Sequence, residues 1–212
     1  MLKEILYDWG GANAWLFHAV NDVRGQGVDL FMLLGTGLAE HGNYPFYLAM
    51  VALIGLFSVA GNGRGSWLEL REQSLAWLTV LAVFSISYVA DGWLLGWLKP
   101  LLDFPRPPAA LPPGTVHVIG APEYQHSLPS GHASFAMLLA ASLWPLLQEK
   151  GRWLAGAFVA WVCLSRVSLG FHFPADVLAG SLSCLAVVWL VRRGLTFAVA
   201  RLSLHPLREG ER

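Results

Sequence analysis

Apolar residues run through this chain in long blocks separated by short polar joints, and the blocks have the lengths of membrane-crossing helices. A helix needs about 20 mostly apolar residues to cross the hydrocarbon core, fewer if it stops short of one interface. Six blocks qualify, at 27–40, 44–60, 74–98, 130–147, 153–168 and 174–191. The first is short and holds Gly35 and Gly37, so a re-entrant or interfacial helix fits it nearly as well as a span. Ahead of it, residues 1–26 mix Lys3, Glu4 and Asp8 with Trp9, Trp15 and Phe17. They lack the basic start, clean apolar core and small-residue cleavage site of a signal peptide, and suit an amphipathic segment lying in the headgroup region. The pattern predicts an all-α fold: a polytopic membrane helical bundle of about six transmembrane helices, one membrane-embedded domain over 1–212, with an interfacial N-terminal segment over 1–26. The long joint at 100–128 carries Pro100, Pro105, Pro107, Pro108, Pro112, Pro113 and Pro122, which stiffen a loop and exclude a helix through most of it.

Composition agrees with the pattern. Hydrophobic residues make up 55% and charged residues 13%, about half the charged share of a soluble domain. The formal net charge is zero, and no basic run or aromatic-interleaved patch offers a nucleic-acid surface. Cys163 and Cys184 lie in apolar runs without metal-ligand spacing, as small buried hydrophobes do.

Charge placement sets an expected orientation, because Lys and Arg in short loops favour the cytoplasm. Arg64 and Arg71 precede the third block, Lys150 and Arg152 join the fourth and fifth, and Arg192, Arg193, Arg201, Arg208 and Arg212 follow the sixth. If the six blocks alternate, these share the cytoplasmic side with Lys3 and Arg24, residues 192–212 form a cytoplasmic tail, and 100–128 is an extracytoplasmic loop. The outer side then keeps Lys99, Arg106 and Arg166. Cations set against the topological bias need a local reason, and an anionic ligand supplies one.

Other residues complete such a site. Ser130 and Gly131 open the fourth block, where unpaired helix-initial N–H groups and the helix dipole favour a phosphate; simple capping by Ser130 is the plainer alternative. Arg166 offers a two-pronged fork for phosphate oxygens and Lys99 a mobile point charge, while Arg106 is restrained between Pro105 and Pro107. Taken singly, Lys99 reads as a snorkelling helix-end lysine and Arg106 as a solvated loop cation. His172 and Asp176 are four residues apart with Pro174 between them, at a helix start. The carboxylate can then bond one ring N–H, fix the tautomer and leave the other nitrogen as a nucleophile. His132 can protonate the leaving oxygen and later activate water, so two histidines suffice for transfer through a phosphohistidine. In the loop, His117, Glu123, Tyr124 and His126 read mainly as solvated residues. Asp91 is a secondary candidate because a carboxyl inside a span needs a partner, and Trp93 and Trp97 read as interfacial anchors.

Three motifs follow: Lys99, six residues, Arg106-Pro107; Pro129-Ser130-Gly131-His132; and Ser165-Arg166, five residues, His172, three residues, Asp176. Together they resemble the tripartite signature of the type 2 phosphatidic acid phosphatase family, with no spacing changed. The resemblance implies a metal-independent lipid phosphatase that needs no cofactor, built on a six-helix membrane core with its site at the extracytoplasmic interface. It makes His172 the nucleophile, Asp176 its orienter and His132 the acid and base. Lys99, Arg106, Ser130, Gly131 and Arg166 become the phosphate ligands, with no metal site. The same constellation occurs in soluble vanadium-dependent haloperoxidases, a branch the hydropathy argues against.

The expected function is hydrolysis of a membrane lipid phosphate or diphosphate at the outer (periplasmic) face of a bacterial inner membrane. Undecaprenyl diphosphate is the leading substrate, since the short chain and the Ala19-Val20-Asn21 stretch before an Asp29-containing helix look like that branch. Phosphatidylglycerol phosphate, phosphatidate and a lipid A phosphate stay open, as does a lipid phosphotransferase. A non-enzymatic lipid transporter fits less well, because a pure binding site has no need of His172 and Asp176 at that spacing.

Overall fold

The computed structural model describes residues 7–61 and 65–204; Lys3, Glu4, Arg64, Arg208 and Arg212 lie outside them. No β-strand occurs among the described residues. The helices are α1 (Ala12–Asn21), α2 (Gln26–Leu38), α3 (Tyr44–Gly61), α4 (Trp67–Leu102), the short α5 (Pro107–Ala110), α6 (Gly131–Leu143), α7 (Glu149–Ser168) and α8 (Pro174–Leu204). Three segments are long and apolar enough to cross a membrane, His41–Gly61, Trp67–Ala110 and Pro174–Arg201. These helices turn residues such as Leu53, Phe57, Leu78, Leu182 and Leu190 outward, as a lipid-facing surface requires.

Helix limits follow from local chemistry. α4 starts where Ser66 Oγ accepts from Glu69 N (3.3 Å) and Glu69 Oε2 accepts from Ser66 N (3.1 Å), a reciprocal cap that satisfies two orphan donors. Its 36 residues span about 54 Å at 1.5 Å each, so it outruns the bilayer and carries Lys99 out to the interface. α6 ends at Leu143, short of the expected 147, because Pro145 cannot continue a helix. It sits at the bundle centre, packed on α4, α7 and α8, with Ala133, Phe135, Ala136 and Leu138 buried. α8 runs past the expected 191 to Leu204; the start of the expected tail is thus helical, and Arg192 Nη2 donates to Ser142 O (3.0 Å) at the end of α6, where a cation complements the helix dipole.

The 27–40 block takes the interfacial alternative. α2 has 13 residues, about 20 Å against a hydrocarbon core of about 30 Å. Just before it, Arg24 Nη2 donates to His117 O in the 100–128 loop (2.9 Å). Near its end, Thr36 Oγ1 accepts from Arg166 Nη1 (2.7 Å). Both ends therefore meet residues of the same face of the bundle. This corrects the placement of Arg24, which lies beside the loop rather than on the opposite side, because α2 does not count as a crossing. Arg71, Lys150 and Arg152 remain at the helix ends opposite that face, and Arg192 lies beside the end of α6.

α1 lies against α7 and α8, burying Phe17 with Val167, Phe173 and Val177. α8 in turn approaches the start of α6 closely at Gly180. A Cβ there would stand 2.3 Å from Ser130 O, too close for any side chain, so this glycine lets the two helix starts meet.

Candidate active site

Every residue expected at the site comes from a helix end or the loop on one face: Lys99 from the last turn of α4, Ser130 to His132 from the start of α6, Arg166 from the end of α7, Asp176 from the first turn of α8. His172 stands in the turn between α7 and α8. That turn is held by Phe171 N and His172 N, which donate to Arg166 O at 3.1 and 3.2 Å.

His172 is buried, 1% exposed, and its two ring nitrogens face different surroundings. Nδ1 is 3.4 Å from Asp176 Oδ2 and 3.4 Å from Ser127 Oγ. Nε2 is 3.5 Å from Arg106 Nη1. Burial first, then Arg166, Arg106 and Lys99, hold the His172 pKa well below its ordinary value. The ring is therefore neutral at neutral pH, the state a nitrogen nucleophile needs.

Asp176 is fixed from several directions. Oδ2 accepts from Ser127 Oγ at 2.5 Å and from Phe173 N at 2.7 Å, and Oδ1 accepts from Tyr7 Oη at 3.0 Å. Its backbone oxygen accepts from Ser130 N (3.0 Å), which ties the His172–Asp176 unit to the Pro129–His132 turn.

Three cations lie near the His172 ring: Arg106 meets Nε2, and Lys99 and Arg166 are close enough to act on the ring's charge. Arg106, only 6% exposed, donates from Nε to Gln125 O (2.9 Å) and from Nη1 to Phe171 O (3.3 Å), and its Nη2 pairs with Glu123 Oε2 at 2.6 Å. Lys99 Nζ donates to His126 O (3.1 Å). Arg166 stacks on the Phe171 ring, 4.3 Å from the centroid, and its Nε is buried without a partner. Ser130 Oγ is likewise buried and unpartnered and makes no cap to α6, so simple capping does not account for it. An orphaned guanidinium nitrogen and an orphaned hydroxyl at a helix start are donors for an anion. A Cβ on Gly131 would lie 3.1 Å from His41 Cε1, so a side chain there would press on that ring. His132 is half-buried in the first turn of α6.

The loop closes over this face through Arg106 N to Tyr124 O and Ser127 N to Phe104 O, both 2.9 Å. His126 Nδ1 pairs with Asp103 Oδ1 at 3.1 Å and Tyr124 is exposed. Glu123 is more than a solvated loop residue, because it holds Arg106. Asp91 finds the partner its burial demands in Ser134 Oγ (2.5 Å), which joins α4 to α6. Ser165 Oγ donates back to Val162 O (2.7 Å) and is occupied within its own helix. Trp93 and Trp97 face outward, as anchors do.

Four contributors have no signal in the sequence motifs: Ser127, Thr36, His41 and Tyr7. Ser127 stands two residues before the Pro129–His132 motif; the others are far away in sequence.

A family model described as PAP2 superfamily matches residues 74–199, well over half of the 212 residues. The chain belongs to the PAP2 superfamily. Members of that superfamily are metal-independent phosphatases, and three segments of this chain are long and apolar enough to cross a membrane. Among solved structures, it resembles the crystal structure of LpxE from Aquifex aeolicus with a TM-score of 0.67 and 20% identity, over 86% of this chain and 95% of that one. It also resembles the crystal structure of a transmembrane PAP2 type phosphatidylglycerolphosphate phosphatase from Bacillus subtilis, with a TM-score of 0.60 and 23% identity over 91% of this chain and 88% of that one. At those identities both likenesses speak to the fold. No curated protein matches the chain.

Proposed function

We propose that this phosphatase removes the terminal phosphate of a lipid phosphate or diphosphate through a phosphohistidine on His172, at the extracytoplasmic face of a bacterial inner membrane. The observation that carries the reading is the division of the His172 ring: Nδ1 toward Asp176 and Ser127, Nε2 toward Arg106. In the first step the Nε2–P bond forms, the P–O bond to the lipid breaks, and His132 gives its proton to the departing oxygen. In the second, water attacks phosphorus as His132 takes its proton, the Nε2–P bond breaks, and inorganic phosphate leaves. Lys99, Arg106, Arg166, Ser130 Oγ and Gly131 N–H hold the phosphate oxygens and stabilise their charge in both transition states. Glu123 must release Arg106 Nη2 when the phosphate enters.

Orientation is supported by Arg71, Lys150 and Arg152 at the opposite helix ends and by Arg192 beside the end of α6. In a background lacking Cys163 and Cys184, single cysteines in the 108–122 loop should react with an impermeant thiol reagent on intact cells, and cysteines beside Lys150 only after lysis. Labelling in the reverse order would overturn the orientation.

Undecaprenyl diphosphate is the leading substrate. Within the 107–128 stretch no Lys or Arg follows Arg106, so recognition rests on the terminal phosphate and an apolar tail more than on a large polar headgroup. Phosphatidylglycerol phosphate is the second reading, favoured by the likeness to the Bacillus subtilis structure. Phosphate release in detergent, with chelator present, should be most efficient for undecaprenyl diphosphate among that lipid, a shorter prenyl diphosphate, phosphatidylglycerol phosphate and phosphatidate. A glycerophospholipid preferred by tenfold in kcat/KM, about 1.4 kcal/mol of transition-state binding, would rule out the prenyl diphosphate assignment.

A further inference from the structure

The segment before α2 lies outside the residues the family model matches, yet it reaches the centre of the site. Tyr7 Oη donates to Asp176 Oδ1 at 3.0 Å, the carboxylate oxygen that Ser127 and Phe173 N leave to it. Its ring is clamped against Phe104, centroids 4.2 Å apart, and meets Phe173 edge-on at 6.0 Å, so the hydroxyl has little freedom. Burial and the adjacent carboxylate push the Tyr7 phenol far above its ordinary pKa, which keeps it a donor. Two more side chains of the same stretch grip the turn that carries His172. Asn13 Oδ1 accepts from Ala175 N (3.0 Å) at the start of α8. Asn21 Nδ2 donates to Ser168 O (2.8 Å) and His117 O (2.9 Å), and its Oδ1 accepts from His117 N (2.9 Å). Both asparagines are buried.

We infer that Tyr7 is a positioning residue for the phosphoryl-transfer step, holding the Asp176 carboxylate so that Oδ2 faces His172 Nδ1. This rests on the reading of His172 as nucleophile and Asp176 as its orienter. A carboxylate can turn about its Cβ–Cγ bond, and a hydrogen bond on the far oxygen opposes that rotation. Without the phenol, Oδ1 is a buried acceptor lacking its donor, and the carboxylate gains by turning toward another. Because Tyr7 bonds Asp176 at Oδ1 while His172 Nδ1 faces Oδ2, its loss should act on the chemical step rather than on lipid binding.

The test is Tyr7→Phe, which keeps the ring against Phe104 and removes only the hydroxyl, assayed as the full chain in detergent. The expected result is a fall in kcat of about tenfold, the scale of a hydrogen bond to a charged group, with KM within about twofold. In an Asp176→Ala background, where no carboxylate remains to orient, the same substitution should change kcat by less than about twofold. Equal losses in both backgrounds would make Tyr7 a packing residue, and an unchanged kcat in the single variant would also overturn the inference. A separate arm measures base-stable, acid-labile phosphate on the wild-type protein and on His172→Ala after reaction with labelled lipid. If His172→Ala turned over normally and took up label like the wild type, the nucleophile reading would fall whatever Tyr7→Phe did.

Discussion

His172→Ala should lower kcat by about four orders of magnitude or more, in keeping with the loss of a covalent nucleophile, while the protein still inserts and purifies. The substitution removes the ring whose Nε2 faces Arg106 at 3.5 Å, and the remaining donors around the phosphate cannot form the covalent bond themselves. Retention of folding is expected because the turn is set by the backbone, through Phe171 N and His172 N on Arg166 O, and by Asp176 Oδ2 accepting from Phe173 N at 2.7 Å. Asp176→Asn should cost less, about 10²- to 10³-fold: the amide preserves shape and can present its oxygen to Nδ1–H, but it lacks the charge that stabilises the developing imidazolium. Phosphate release by purified variants, normalised to monodisperse protein, gives both numbers. More than a tenth of wild-type turnover in His172→Ala would exclude covalent catalysis at this residue.

The grouping of the candidate residues on one face could be read from the chain because each motif sits at a helix end, where spacing along the sequence is also spacing in space. His172 and Asp176 are one helical turn apart, and Ser130 and His132 begin α6. The long apolar blocks were legible for a similar reason, since a span of about 20 apolar residues has few other uses. Partners brought together by packing left no such trace. Tyr7 and Asp176 are separated by 169 positions and Thr36 and Arg166 by 130, and nothing local distinguishes that tyrosine or threonine from others beside apolar runs. Arg24 shows how one assignment propagates: counting α2 as a crossing puts this arginine on the wrong face. The fourth block overran α6, which ends at Leu143, because apolar character alone carries on through Leu146 and Leu147 while Pro145 stops the helix.

His132→Ala should separate the two half-reactions, and the separation depends on the substrate. General acid and base catalysis contributes about 10²- to 10⁴-fold, so steady-state turnover should fall by that order for every lipid. The step that limits the variant differs, however. With a phosphomonoester such as phosphatidylglycerol phosphate, the departing group is an alkoxide, which needs the His132 proton, and the first step stalls before His172 is phosphorylated. With a prenyl diphosphate the departing group is a lipid monophosphate, a stable anion that leaves without that proton. His172 is then phosphorylated, and the phosphohistidine persists because no base activates the water that should remove it. Base-stable, acid-labile label should therefore accumulate on His132→Ala treated with undecaprenyl diphosphate and stay near background with phosphatidylglycerol phosphate. It should be absent with both lipids when His172→Ala is added. Undiminished turnover in His132→Ala would remove it from the mechanism, whereas equal accumulation from both lipids would retain its role toward water and deny its role as the acid. Both proposed roles rest on the place of His132 in the first turn of α6, directly after the Ser130 and Gly131 donors.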